Sequence, residues 1–211
     1  MICIVLKAFL SVILVLYKKI TMVHTFSIQL PMGIIAPEFQ LIDLVSGEIK
    51  TLAVLKSDVA TVIMFICNHC PYVKHINGGI AKLANDYLQK GIAFVAISAN
   101  DADAFPDDGP EFLKEQALKH NFWFPYLFDS TQAVAKAYRA ACTPDFYVFD
   151  QHLELVYHGQ MDSSRPKNNE PNDGKDLRDV LDKIIKGQPL KNEQLPSSGY
   201  NVKWEAEVSP F

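Results

Sequence analysis

Two kinds of apolar pattern alternate along the chain. Residues 59–66 and Ile92–Ser98 are continuous apolar runs rich in β-branched residues, which is typical of strands buried on both faces of a sheet. From position 73 to 88, apolar residues recur every three or four positions, and this spacing predicts a helix. Pro71 fits the first turn of that helix and Gly91 fits its C-terminal end. The pattern therefore predicts strand, helix and strand in succession near the centre of the chain.

The rest of the pattern predicts an α/β domain. Further strands are expected at 39–44, 48–52, 126–128, 146–149 and 153–157, and further helices at 110–120, 131–139 and 175–185. Ser130 or Thr131 is a candidate N-cap for the second of these helices, and Gly187 ends the third. This order implies a central sheet covered by helices on both faces, preceded by a β-hairpin that turns at Ser46-Gly47.

Length and composition indicate a single globular domain. A chain of 211 residues with 49% hydrophobic residues suffices for one well-filled core, which we expect over 22–211 with an extended tail from about 188. The net charge of −4 argues against a nucleic-acid partner, because such proteins need a basic face. Four cysteines are too few for a disulfide-stapled secreted domain, so they favour redox or metal chemistry.

Residues 1–21 form an apolar segment that Lys7 interrupts. Spanning a bilayer takes about 20 apolar residues, so this segment is slightly short for a membrane helix. Three interpretations stay open: an over-extended reading frame with the true start at Met22, a weak membrane anchor, and a signal peptide without an evident cleavage site. If the segment inserted, Lys18 and Lys19 would keep the following domain on the cytoplasmic side. We expect a cytoplasmic protein, with anchoring to the inner face of the cytoplasmic membrane as the alternative.

The strongest chemical signal is the run Cys67-Asn68-His69-Cys70-Pro71, where a buried strand meets a helix. A helix N-terminus offers free backbone N–H groups and a positive dipole end, and both stabilise a thiolate. Cys70 is therefore predicted to be the attacking nucleophile, with its pKa lowered into the range of roughly 3.5–7.5. Cys67, at the end of the strand, should keep a higher pKa.

Several segments together resemble one protein family. CNHCPYVKHI, AISANDADAFPDD, CTPDFYVFD, DSSRP and SSGYNVKW are similar to the thioredoxin-like, peroxiredoxin-related bacterial redoxins, often named for alkyl hydroperoxide reductase and thiol-specific antioxidant proteins. The resemblance covers residues 27–204 and implies a thioredoxin fold, here with an N-terminal β-hairpin and an inserted βα unit. Relatives tend to begin near Met22, which favours the late start. The tail departs from the family, because Tyr200 stands where many relatives carry a cysteine.

The resemblance also implies roles for individual residues. Cys70 matches the attacking cysteine of thioredoxin, and Val73 stands at the position of the usual second cysteine. Pro144, which follows Thr143, matches the cis-proline that lies beside the attacking sulfur in this superfamily. His69 is expected to favour the thiolate of Cys70 by its charge or by a hydrogen bond.

A second thiol must release the mixed disulfide that an attack by Cys70 would form. Val73 cannot do so, which leaves Cys67, three residues away, as the favoured resolving cysteine. Cys142 is the alternative, because the resemblance places it near the attacking sulfur. Substrates would be protein or small-molecule disulfides or peroxides, and the electron donor a thiol system such as thioredoxin or glutathione. No cofactor is expected.

A thiol peroxidase is the first alternative function. Peroxiredoxins carry a proline seven residues before their attacking cysteine and a threonine or serine three residues before it. Ile63 and Cys67 occupy those positions here, and Arg139 is the arginine nearest in sequence to Pro144. The donors that would stabilise developing charge on peroxide oxygens are therefore missing from their expected positions.

A metal site is the second alternative, and it would use Cys67, His69, Cys70 and His75. It ranks lower because structural zinc sites usually combine two Cys/His pairs, and no second pair with that spacing follows. The acidic stretch 101–108 lacks the pattern of a calcium loop, so we expect a solvated loop that caps the next helix. Arg165 is expected in another solvated loop.

Overall fold

The computed structural model describes residues 22–190 and 194–205, which form ten strands, five α-helices and a short 3-10 turn. The strands are β1 (His24–Phe26), β2 (Gln40–Asp43), β3 (Ile49–Thr51), β4 (Ala60–Phe65), β5 (Ile92–Ser98), β6 (Tyr126–Phe128), β7 (Cys142–Thr143), β8 (Asp145–Asp150), β9 (Leu155–Gly159) and β10 (Ser198–Asn201). The helices are α1 (Leu52–Leu55), α2 (Pro71–Leu88), α3 (Pro110–Lys119), α4 (Ala133–Ala137) and α5 (Lys175–Ile185), with the 3-10 turn at Pro106–Asp108.

The main sheet is mixed and has seven strands in the order β3-β2-β6-β5-β4-β8-β9. Strands β4, β5 and β6 are parallel to one another, and the outer pairs on both sides are antiparallel. The predicted N-terminal hairpin is β2–β3, and β6, which α4 follows, adds a further parallel strand beside β5. The α/β thioredoxin fold expected from the sequence is therefore confirmed.

Strand β4 is the centre of this sheet, and all six of its residues are buried. Successive side chains point to opposite faces of a strand. Val62 and Met64 accordingly pack into one apolar cluster, to which α2, α3 and α5 contribute. Ile63 and Phe65 pack into a second cluster on the other face, with α1 and α4. Burial on both faces explains why the sequence of β4 is an unbroken apolar run. The loop that contains Cys67 follows directly after the C-terminal end of this strand.

The helix at α4 differs from the prediction. It is shorter than 131–139, and its N-cap is Gln132, in the left-handed conformation with φ of 60°. The predicted caps Ser130 and Thr131 are wrong. The buried carboxylate of Asp129 accepts the Ala135 N–H at 2.8 Å instead, and so it satisfies the donor that a cap would have served.

A second, smaller sheet was not predicted. It has the order β1-β10-β7, and it joins both ends of the described chain to the strand that precedes Pro144. The tail has no apolar periodicity, because β10 is short and owes its pairing to neighbours distant in sequence. Residues 1–21, with Cys3, lie outside the described residues. Within residues 22–190 and 194–205, no helix has both the length and the apolar character needed to cross a membrane.

Helix α5 provides a test of the packing on the α2 side of the sheet. Leu181 is 0% exposed, whereas Ile185, one turn later, is 40% exposed. We predict that Leu181→Ala lowers the free energy of unfolding by about 2–5 kcal/mol, because it leaves a cavity in a closed core. Urea denaturation measures this, and Ile185→Ala is the matched control with an expected loss of about 1 kcal/mol or less. Equal losses for the two variants would contradict this packing.

Candidate active site

Cys70 is the N-cap residue of α2, with Pro71 in the first turn, and its side chain is fully buried. Its backbone has left the helical conformation, with φ of −67° and ψ of 123°. The sulfur therefore lies among the N–H groups that the first helical turn leaves without intrahelical partners. As a thiol, Sγ of Cys70 donates to the carbonyl oxygen of Thr143 at 3.3 Å.

The surroundings of Cys70 favour its ionised form. A hydrogen bond from Cys67 is the largest influence and lowers the pKa, while burial opposes it. Backbone N–H groups of Val73, Tyr200 and Tyr72 add to the lowering, and together these contacts bring the pKa of Cys70 to about 6. The shift has the predicted direction.

Cys67 is in the opposite situation. Burial raises its pKa well above the ordinary value, and the hydrogen bond to Cys70 raises it further because Cys67 supplies the proton. Its sulfur lies 3.2 Å from the hydroxyl of Thr143, and Gln116 Nε2 donates to its carbonyl oxygen at 3.2 Å. The two sulfurs are therefore neighbours, although only one of them sits at the helix terminus.

The predicted cis bond between Thr143 and Pro144 is confirmed. Both loop cysteines contact Thr143, Cys70 through the carbonyl oxygen and Cys67 through the hydroxyl. Cys142, the alternative resolving cysteine, is buried on the preceding residue, and burial raises its pKa well above the ordinary value. The structure thus brings together all six residues that sequence reasoning selected for the site, and the ring of His69 also binds an acidic partner.

That partner is Asp108, a residue the sequence analysis assigned to a solvated loop. Its carboxylate is fully buried and accepts the backbone N–H groups of Asn68 and His69 at 2.7 and 2.8 Å. It also accepts Nδ1 of His69 and, at 2.8 Å, Nδ2 of Asn100. The predicted capping of the next helix is wrong, because α3 begins at Pro110 and its N-cap residue, Gly109, provides no side-chain cap. An acidic stretch that follows a β-strand was the only signal in the sequence.

These contacts decide the charge of Asp108 and the position of His69. Burial by itself would raise the pKa of Asp108, but the hydrogen bonds that it accepts from His69 and Asn100 lower it below its ordinary value. The imidazole also stacks on Phe105 with ring centroids 5.0 Å apart. Its side chain is only 8% exposed, so the ring is largely shielded from water.

The strand β10 covers the dithiol from the other side. Tyr200 pairs with Thr143 in antiparallel register, and Asn201 pairs with Cys142. Gly199 approaches so closely that a Cβ there would lie 1.9 Å from the carbonyl oxygen of Thr143. Only glycine permits this contact, which places the Tyr200 N–H on the sulfur of Cys70.

Lys203, two residues beyond β10, is a buried cation that sequence reasoning also missed. Its Nζ lies 5.5 Å from the ring centre of Phe105 and 5.8 Å from that of Tyr200. Burial lowers its pKa, while charge on Cys67, Cys70 and Asp108 acts in the opposite sense. Lys203 therefore brings positive charge to the side of the site where the thiolate forms.

Arg165 does not lie in a solvated loop as expected. It is half-buried, and its guanidinium donates to the carbonyl oxygens of Asp162 and Ser164 and to the side chain of Gln160. Together with Pro144 it lines a small cavity beside the site. These contacts fix the guanidinium within its own loop and against Gln160.

A metal is poorly accommodated by the donor atoms present. Cys67, His69 and Asp108 each have a donor atom within 4.8 Å of the others. Both carboxylate oxygens of Asp108, however, already accept two hydrogen bonds each. His75 is engaged elsewhere, with Ser164 Oγ at 2.7 Å. The Asp108 carboxylate therefore holds the loop between Cys67 and Cys70 by hydrogen bonds, and its oxygens are not free to bind a metal.

A sequence profile of the AhpC/TSA family matches residues 32–158, which include both loop cysteines and Pro144. The chain belongs to the AhpC/TSA family. Family membership and the thioredoxin-like fold support a redox function in general, that of an oxidoreductase.

Solved structures extend the similarity over nearly the whole chain. An uncharacterized conserved protein from Geobacillus kaustophilus is 50% identical, with a TM-score of 0.87 over 89% of this chain and 99% of that one. A hypothetical protein from Sinorhizobium meliloti is 44% identical, with a TM-score of 0.84 over 86% and 99% of the two chains. The thioredoxin domain of a thiol-disulfide oxidoreductase from Bacteroides vulgatus shares the fold, with 17% identity and a TM-score of 0.56 over 72% and 99%. No match was found among functionally curated proteins.

The first prediction for this site concerns the thiolate of Cys70. Alkylation by iodoacetamide, followed by mass spectrometry of the Cys70 peptide, should rise with pH and reach half its maximal rate near pH 6, because only the thiolate reacts. Cys67→Ala removes the largest stabilising hydrogen bond and should move the midpoint to higher pH. A wild-type midpoint near the value of a free cysteine, about 8.5, would contradict the assignment.

The second prediction concerns the approach of β10. Gly199→Ala should raise the pH midpoint of Cys70 alkylation, because the new methyl group pushes β10 off Thr143 and withdraws the Tyr200 N–H. Gly78→Ala is the matched control, since a Cβ there meets nothing within 4 Å, and it should leave the midpoint unchanged. An unchanged midpoint in Gly199→Ala would show that β10 does not support the thiolate.

Proposed function

We propose that the protein is a thiol–disulfide oxidoreductase in which the thiolate of Cys70 attacks a substrate disulfide. The observation that carries the proposal is the contrast between the two loop sulfurs. Cys70, at the N-terminus of α2, has its pKa lowered to about 6, whereas burial keeps the pKa of Cys67 well above its ordinary value. The sulfur of Cys70 is therefore a nucleophile at neutral pH, whereas the sulfur of Cys67 stays a thiol until the second step.

The proposed reaction has two steps. The Cys70 thiolate displaces one sulfur of the substrate disulfide and forms a mixed disulfide with the other. Cys67 then attacks Sγ of Cys70, forms the Cys67–Cys70 bond and releases the second substrate sulfur. Cys67 is favoured over Cys142 because it has the largest influence on the pKa of Cys70 and because both sulfurs contact Thr143. Disulfides are the substrates in this scheme, and an external thiol donor such as a thioredoxin or glutathione system returns the protein to the dithiol.

Access to Cys70 requires movement of the covering strand. The side chain of Cys70 is 0% exposed beneath β10, so a substrate sulfur reaches it only when β10 separates from β7. The strand has four residues and belongs to a sheet of three strands, and so small a sheet opens at lower cost than the seven-stranded core sheet. The proposed catalytic cycle therefore includes opening of the small sheet.

Peroxide reduction is less well supported than disulfide exchange. A peroxidase places hydroxyl and guanidinium donors around its attacking sulfur. Here the Thr143 hydroxyl is next to Cys67, and the guanidinium of Arg165 is held by Gln160 and its own loop. The contacts that lower the pKa of Cys70 come from Cys67 and from backbone N–H groups.

Substitution of the three core cysteines tests the proposal. In an insulin-reduction assay with dithiothreitol as the electron donor, Cys70→Ser should abolish the reduction of insulin disulfides that the protein catalyses. Cys67→Ser should stall after one step and accumulate the mixed disulfide on Cys70, which peptide mapping detects. Cys142→Ser is the matched control, and it should turn over normally.

Three outcomes would contradict this scheme. Activity in Cys70→Ser would remove the mechanism altogether. Normal turnover in Cys67→Ser with trapping in Cys142→Ser would make Cys142 the resolving cysteine. Rapid consumption of hydrogen peroxide, with a sulfenic acid on Cys70, would make the protein a peroxidase.

A further inference from the structure

Cys67, His69 and Asp108 form a buried cluster beneath the dithiol loop. One donor atom of each side chain lies within 4.8 Å of the other two. The side chains of His69 and Asp108 are 8% and 0% exposed, and Cys67 is 0% exposed. A proton leaving the Cys67 thiol therefore does not pass directly to bulk water, and the titratable side chains of His69 and Asp108 lie close to it.

The second step of the proposed reaction requires such a proton transfer. A thiolate, not a thiol, attacks a disulfide. Burial and the charge of Asp108 hold Cys67 in its protonated form in the reduced protein. When Cys70 enters a mixed disulfide, Cys67 loses the thiolate to which it donated, and its proton must go to another acceptor.

We propose that the Asp108–His69 pair is the base that accepts the proton of Cys67 when Cys67 resolves the mixed disulfide. This inference rests on the proposed function. It differs from the role expected of His69 from the sequence, which was to favour the thiolate of Cys70.

Hydrogen bonding to Asp108 fixes which ring nitrogen of His69 acts as the donor. The ionised carboxylate of Asp108 can only accept, so Nδ1 of His69 carries the proton that it donates to Oδ2. In the neutral ring the lone pair is then on Nε2, which is buried and has no hydrogen-bond partner within residues 22–190 and 194–205. A carboxylate that orients an imidazole in this way also stabilises the imidazolium that forms when the ring takes up a proton.

No hydrogen bond joins Nε2 of His69 to Sγ of Cys67 in this structure, so the proposed transfer passes through one water molecule or follows a small movement of the ring. A ring nitrogen of His69 and an oxygen of Asp108 both lie within 4.8 Å of Sγ of Cys67. A general base acts at hydrogen-bond distance or through one water, and catalytic contacts tighten when the intermediate forms. Stacking on Phe105 and the two backbone N–H bonds to Asp108 keep the pair at this position.

Three other titratable groups interact with Cys67, and none replaces the pair. Cys70 is the disulfide partner in this step. Burial raises the pKa of Tyr126 well above its ordinary value, so its phenol stays protonated. Lys203 supplies positive charge, which favours the thiolate of Cys67 without accepting its proton.

The step balances in protons and electrons. The proton of Cys67 passes to His69, and the thiolate of Cys67 attacks Sγ of Cys70. The Cys67–Cys70 bond forms while the bond between Cys70 and the substrate sulfur breaks. The substrate sulfur leaves as a thiolate and takes the proton back from His69. Two electrons have then passed from the two cysteines to the substrate disulfide.

A single-turnover experiment separates the two attacks. The full chain carrying Cys3→Ser and Cys142→Ser retains Cys67 and Cys70 as its thiols. The reduced protein is mixed with one equivalent of 5,5′-dithiobis(2-nitrobenzoate), and the released thionitrobenzoate is followed by stopped-flow absorbance. The first equivalent reports the attack by Cys70, and the second reports the attack by Cys67.

We expect His69→Gln and Asp108→Asn each to slow the second equivalent at pH 7, on the order of tenfold to a hundredfold, the lower part of the range for general-base catalysis. The deficit should disappear at high pH, where hydroxide ionises Cys67, and the first equivalent should change by a much smaller factor. Gln116→Leu is the matched control. It removes a polar contact to Cys67 but no titratable group, so the pH dependence of the second phase should stay as in the parent.

The outcomes distinguish this inference from the function on which it rests. A second phase at the parent rate in His69→Gln, or a deficit that persists at high pH, would overturn the role of the pair as a base. Absence of the first phase in the parent protein, or its persistence in Cys70→Ser, would instead overturn the proposed exchange reaction.

Discussion

The dithiol loop keeps its shape because a buried carboxylate holds it. Asp108 accepts two backbone N–H groups from the loop, one ring nitrogen of His69 and one amide of Asn100. A charge removed from water is tolerated only when such bonds replace its hydration, and loop N–H groups in an apolar core are tolerated only when they find an acceptor. The carboxylate and the loop therefore require each other, and the position of both sulfurs follows from this contact.

The chemical difference between the two sulfurs arises within that fixed loop. Burial disfavours the charge on each of them, so burial cannot separate them. The difference between the two pKa values comes from the direction of the hydrogen bonds. Cys67 donates to Cys70, and backbone N–H groups of α2 and of Tyr200 also donate to Cys70. One hydrogen bond thus lowers one pKa and raises the other, which is the difference that the proposed two-step exchange requires.

Strand β10 affects both the access of a substrate to Cys70 and the stability of the Cys70 thiolate. Because Gly199 lets β10 lie against Thr143, the same strand both hides Cys70 and supplies one of the N–H groups that stabilise its thiolate. Opening β10 for a substrate would therefore remove part of that stabilisation and make the thiolate more basic. Lys203, just beyond the strand, is tied to the Asp108 network through Asn100, which accepts the Lys203 backbone N–H at 2.8 Å. Covering strand and loop anchor are thus one connected structure.

The sequence by itself determined the features that local physics controls. Apolar runs and helical spacing predicted β4, α2, β5 and α5. A strand buried on both faces is a continuous apolar run, and a helix buried along one side has apolar residues every three or four positions. The position of Cys70 at a helix N-terminus follows from the same pattern. Only the tertiary structure decided that Asp108, separated from His69 by 39 residues, would bind the loop. It alone also showed that residues 198–203 would fold back over the sulfurs. Such partners leave no periodic signal, since a single buried carboxylate or a glycine at a close approach is defined by what it meets in space and not by its neighbours in the chain.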